Sequence, residues 1–148
     1  MLRLFCRSFV RLAIVPIWIW AQSASAGDQD LVFVDAWIRA VPPGMGMTAG
    51  FGTIRNTGAG DIEITAFSSR EFGDVSLHRT EVSDGVSRMR EVPSLQVPAA
   101  SAVELAPGGY HLMLMKPLEG LREGQPVTVE MRSADGRVFH FEVPVERR

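Results

Sequence analysis

From residue 27 onward no window of the chain holds a sustained 3.6-residue apolar period. Short β-rich runs alternate instead with clusters of Gly, Pro, Asn and Asp. This pattern predicts strands at Leu31–Arg39, Thr48–Arg55, Ile62–Ser68, Val75–Thr80, Val86–Val92, Ala102–Leu105, Tyr110–Met115, Val127–Arg132 and Val138–Val145. In Val127-Thr128-Val129-Glu130-Met131-Arg132 apolar and polar residues alternate throughout, as on a strand with one face buried. Asp84-Gly85 and Asp135-Gly136 are hairpin signals, because both residues of a tight two-residue turn need positive φ. Many short strands at this spacing predict a single all-β domain, a sandwich or a barrel.

The N-terminus reads differently. Arg3, Arg7 and Arg11 precede an uncharged, mostly apolar run from Leu12 to Ala21, and Ala24-Ser25-Ala26 follows as a small-residue site. That layout predicts a secretory signal peptide over residues 1–26, cleaved after Ala26. The apolar run is shorter than the roughly 20 residues a spanning helix needs, so no stable membrane insertion is expected after cleavage. The sole cysteine, Cys6, precedes the apolar run, which speaks against a lipid anchor behind it. Residues 27–148 then form one exported domain, expected in the periplasm and as a monomer. They carry 12 Lys and Arg against 17 Asp and Glu, a mild net charge of −5 with no basic stripe. Nucleic-acid binding is disfavoured on that ground. With no cysteine beyond Cys6, this domain has neither a disulfide nor a thiolate for catalysis or metal binding.

Four residues stand out in the remaining chemistry: His78, Met89, His111 and Met113, spaced His-x10-Met-x21-His-x-Met. His111 and Met113 are two apart on one strand and so share a face, about 7 Å apart. A hairpin about Ser83-Asp84-Gly85 would carry His78 and Met89 into one neighbourhood. Thioether sulfur is soft and uncharged and suits Cu(I). Zn(II) favours thiolate, imidazole and carboxylate, while Ca(II) and Mg(II) want oxygen. Imidazole must be deprotonated to bind, so metal affinity should fall at low pH. By residue type alone the bland reading stays open, since a strand Met is commonly core filler and a His commonly a hydrogen-bonded or surface residue.

The whole spacing resembles that of the PCu(A)C family of periplasmic copper chaperones. Ala36-Trp37-Ile38-Arg39 with Pro42-Pro43-Gly44, Ile54-Arg55-Asn56-Thr57-Gly58, and Pro107 through Met115 are similar to that family as well. The resemblance runs from Ala36 to Val145. It implies a cupredoxin-like Greek-key β-sandwich and a solvent-accessible Cu(I) site on His78, Met89, His111 and Met113. It also implies copper delivery to respiratory oxidase assembly. The implied recipient is the binuclear copper centre of cytochrome c oxidase subunit II, with a Sco-type thiol protein as a further partner.

Other residues carry weaker expectations. Met45 and Met47 sit in a Gly-rich loop, where a second soft site, a docking lip or no role are all open. Met115 is expected to pack beside the site, His140 to be structural or superficial, and Trp37 to anchor the core. Arg79, Arg88 and Arg90 are expected on a solvated face. A blue-copper electron carrier would need a Cys ligand. An enzyme finds no support in a nucleophile elbow, zinc-protease helix or phosphate loop. An extracytoplasmic recognition module without a metal remains the alternative to a copper carrier.

Overall fold

The structure, a computed structural model, describes residues 30–148. The expected signal peptide and Cys6 lie outside the described residues. Ten strands form, and no helix is found among the described residues: β1 (Leu31–Arg39), β2 (Met47–Asn56), β3 (Ile62–Ser69), β4 (Phe72–Ser83), β5 (Val86–Glu91), β6 (Leu95–Val97), β7 (Ala102–Leu105), β8 (Tyr110–Pro117), β9 (Pro126–Ser133) and β10 (Val138–Glu146). All nine expected strands are present, most with bounds within one or two residues. β4 is longer at both ends than the turn signals implied, and β6 was not anticipated. Only Ser94-Leu95-Gln96-Val97 lies between Pro93 and Pro98, too few residues to show alternation.

β4, β8, β2, β1, β10, β9 and β3 pair in that order, and β3 returns to β4, so the sandwich closes on itself. β1 and β10 run parallel, while the other neighbours in this ring are antiparallel. β5 pairs with β4 from His78 to Ser83, beyond the contact of β4 with β3 at Val75. The interior is apolar, with Leu31, Ile38, Ile54, Leu112, Leu114, Val127 and Met131 essentially inaccessible to solvent. Burying each such side chain contributes roughly 1.5–3 kcal/mol against the entropy of ordering the chain.

Two local features set what faces outward. On β8, Leu112 and Leu114 point into the core, so His111, Met113 and Met115 point out. On β1, the register with β2 slips by one residue between Val34 and Trp37. Before the slip the inward residues are Leu31 and Phe33; after it Ile38 is inward and Trp37 is outward. Asp35 sits at φ 50°, and Gly52 opposite it at φ 145°. A Cβ on Gly52 would lie 2.8 Å from the Cα of Ala36, so only glycine lets the two backbones approach this closely.

The bulge corrects the expectation for Trp37. It is buried, but on the outer face, where it pairs with Phe51 across β1 and β2 with ring centroids 4.8 Å apart. The fully buried interior does not include it.

Candidate metal centre

β4 and β8 pair antiparallel in a register that sets His78 directly opposite His111 and Ser76 opposite Met113. Directly opposed residues on neighbouring strands point to the same face, so Ser76, His78, His111 and Met113 share the outer face. β4 then turns into β5 through Asp84 (φ 52°) and Gly85 (φ 75°), the two left-handed residues of a tight hairpin. That hairpin sets Met89 opposite Thr80, two residues beyond His78 on the same face. All four residues picked from the sequence therefore converge on one patch of the sheet.

The imidazoles face each other with centroids 6.0 Å apart and planes inclined by 37°. His111 is 4% exposed. Its Nδ1 lies 3.1 Å from the carbonyl oxygen of Gly109. A carbonyl only accepts, so Nδ1 carries the hydrogen, and in the neutral ring Nε2 presents its lone pair. His78 Nε2 lies 3.0 Å from the Ser76 hydroxyl. The other ring nitrogens, His78 Nδ1 and His111 Nε2, are buried and have no hydrogen-bond partner. They are the only two such buried side-chain nitrogen or oxygen atoms among the described residues. Leaving a buried polar group unpartnered costs about 1–3 kcal/mol, and two such groups on neighbouring rings call for a cause.

Met113 is half-buried beside the pair, whereas Met89 is 51% exposed at the lip. A cleft of about 170 Å³ opens beside Met89 and His111, lined also by Arg39, Ala49, Phe51, Thr80, Pro107 and Gly108. Phe51 forms one wall, 6.4 Å from the His111 ring and backed by Trp37. The Arg39 guanidinium lies over the Phe51 ring at 5.2 Å. Among the described residues no group of three or more His, Cys, Asp or Glu could hold a metal ion.

Sequence reasoning missed Ser76, Phe51 and Arg39. Ser76 had a legible signal, a hydroxyl two residues before His78 on one strand; the other two reach the cleft only through the β1–β2–β8 arrangement. Met45 and Met47 are about half exposed, and Met47 opens β2 rather than lying in the loop. Met115 is half-buried on the same face as Met113. His140 is exposed, 3.7 Å from Glu130 on the neighbouring strand. Arg79, Arg88 and Arg90 are exposed, and Arg79 lies over the Tyr110 ring at 5.2 Å.

The architecture and this face define an all-β, cupredoxin-like domain with a His–Met patch on one outer sheet. The family model described as "Putative lipoprotein LpqE-like" matches residues 31–145, and the chain belongs to the LpqE-like family. A relative from Leifsonia xyli subsp. xyli (strain CTCB07), named "Putative lipoprotein Lxx21020", is 39% identical over 112 residues. That match covers 75% of this chain and 66% of the relative's length, slightly under two thirds. Among solved structures, the Cu(I) form of DR1885 from Deinococcus radiodurans superposes with a TM-score of 0.64 at 29% identity, covering 85% of this chain and 86% of that one. The copper-bound PCuAC domain of PmoF2 gives a TM-score of 0.66 at 18% identity over 80% of this chain and 94% of its own. At that identity the second likeness bears on the fold alone. The expected cupredoxin-like fold and the likeness to PCu(A)C domains both hold.

Proposed function

We propose that this chain is an extracytoplasmic carrier that binds one Cu(I) through His78, Met89, His111 and Met113 and hands it to another protein. The observation that carries this reading is the pair of partnerless, buried imidazole nitrogens on directly opposed residues, with a thioether on the same face at each side. Similarity to the Cu(I) form of DR1885 supports the choice of metal. The donor set is neutral, so the loaded site keeps about the +1 charge of the ion and excludes harder divalent cations by chemistry. Without thiolates the ion is held less firmly, which suits release.

Release follows from the unequal exposure of the ligands. Met89 stands at the lip and is the first that an incoming donor displaces, while the two imidazoles hold the ion from behind. The hydrogen bond from His111 to Gly109 and the contact of His78 with Ser76 keep the rings aimed while a thioether leaves. The role is metal carriage, not catalysis. The acceptor is an oxidase copper subunit, in the first instance the binuclear copper centre of cytochrome c oxidase subunit II, with a Sco-type thiol protein as co-partner. Export by the residue 1–26 signal peptide places the carrier in the periplasm.

The test is a Cu(I) titration of purified residues 27–148 against a chromophoric chelator, beside the four single ligand-to-Ala variants. One tightly held ion per wild-type chain, weakened in every variant, is expected. A folded wild-type protein that fails to compete for Cu(I) would overturn the reading in favour of a recognition module.

A further inference from the structure

Six methionines lie among the described residues, and only Met131 is in the core, at 0% exposure. Methionine normally fills gaps in protein interiors. Here Met113 and Met115 lie half-buried on the outer face, while Met45, Met47 and Met89 are about half exposed. The register orders three of them. Met115 stands opposite Met47 of β2 on one side and Asp74 of β4 on the other. One pleat further along β8, Met113 stands between Ala49 and Ser76, and one pleat beyond that His111 faces His78. Thioethers thus continue from the histidine pair along β8 to the opposite end of the face.

We propose that Met47 and Met115 form a second site, for a soft monovalent cation, Cu(I) or Ag(I), with Met113 standing between it and the histidine pair. Directly opposed residues have Cβ atoms about 4.5–5.5 Å apart, so two unbranched side chains can close on one ion from either side. Two neutral sulfurs exclude hard cations and admit soft ones. The Asp74 carboxylate, opposite Met115, balances the ion's charge without supplying the softness. Met47 at the exposed end makes this the entry side, and the alternation of β8 places Met113 about 7 Å along the face from Met115. An ion held there is one step from a thioether of the first site. The second site needs neither histidine and stands even where the first does not.

Ag(I), which does not change oxidation state, serves as the probe. Purified protein with ¹³C-methyl-labelled methionine is titrated with Ag(I) and read by NMR and by bound equivalents. Wild type is expected to take two equivalents, with the Met47 and Met115 methyl signals shifting together. The Met47→Leu/Met115→Leu variant should lose one equivalent and keep the other. The His78→Ala/His111→Ala variant should keep the Met47 and Met115 shifts. Unmoved Met47 and Met115 methyls in excess Ag(I), or undiminished stoichiometry in the double leucine variant, would overturn the second site. Unaltered binding in the double alanine variant would count against the histidine site instead.

Discussion

The hydroxyl of Ser76 lies 3.0 Å from Nε2 of His78, two residues along the same face of β4. It fixes a ring whose other nitrogen is buried without a partner. Groups that orient a metal-binding imidazole commonly matter 10–100-fold for affinity. Ser76→Ala should therefore weaken Cu(I) binding about tenfold. The melting temperature should barely move, because one half-exposed hydroxyl is lost. Chelator competition and thermal melts on the same sample check both. Unchanged affinity would leave Ser76 outside the site's support.

Met89 and Met131 offer a contrast. Met89 is 51% exposed on an edge strand, whereas Met131 is fully buried among core side chains. Met89→Ala should leave stability within about 0.5 kcal/mol of wild type. Its Cu(I) affinity should nonetheless fall at least tenfold. Met131→Ala should cost about 2–5 kcal/mol through the cavity it leaves. In the fraction still folded, it should bind copper as wild type does. Urea unfolding and Cu(I) competition on both variants separate packing from ligation.

Gly52→Ala tests the bulge. The new Cβ would collide with the Ala36 Cα at 2.8 Å, and φ 145° is itself hostile to a side chain. A loss of about 1–3 kcal/mol is expected. Because the bulge puts Trp37 against Phe51, the near-ultraviolet circular dichroism of tryptophan should change as well. A variant as stable as wild type would mean that β1 can pair without the slip.

Acid stability should be linked to Asp135 in the β9–β10 turn. Its pKa is held below the ordinary carboxylate value, first by the hydrogen bond from the Ser133 hydroxyl and then by the backbone N–H of Arg137. A depressed folded-state pKa stabilises the fold above the unfolded value, about 3.9, and that contribution fades as pH falls through the folded value. Asp135→Asn should lower the melting temperature at pH 7, and the difference from wild type should narrow towards pH 3. A gap independent of pH would assign the effect to hydrogen-bond geometry alone.

Export has a direct readout. The secreted protein should have Gly27 as its first residue, as intact-mass analysis would show. An uncleaved N-terminus retaining Arg3, Arg7 and Arg11 would overturn the signal-peptide assignment.

Much of this molecule follows from local sequence. Short β-rich runs between turn residues located nine strands, and in β9 alternation also marked the buried face, because a half-buried strand must alternate its faces. Asp84-Gly85 announced the β4–β5 hairpin, because two adjacent residues at positive φ are rarely tolerated elsewhere. The i, i+2 spacing of His111 and Met113 put them on one side of β8 for the same geometric reason. His78 is another matter. It lies 33 residues from its partner His111, and their opposition depends on β4 pairing with β8 in one particular register. A one-residue slip would have turned His78 into the core. Trp37 shows the same limit: alternation from Leu31 sends it inward, and the extra residue at Asp35 sends it out. Such a bulge is set by how closely Gly52 lets two backbones approach, which is a property of the paired strands and not of either one. The bare imidazole nitrogens, the Phe51 wall and the line of thioethers beyond Met113 are likewise products of long-range pairing. The residues capable of binding soft metal are therefore written in the sequence, and their convergence on one face is decided by sheet register.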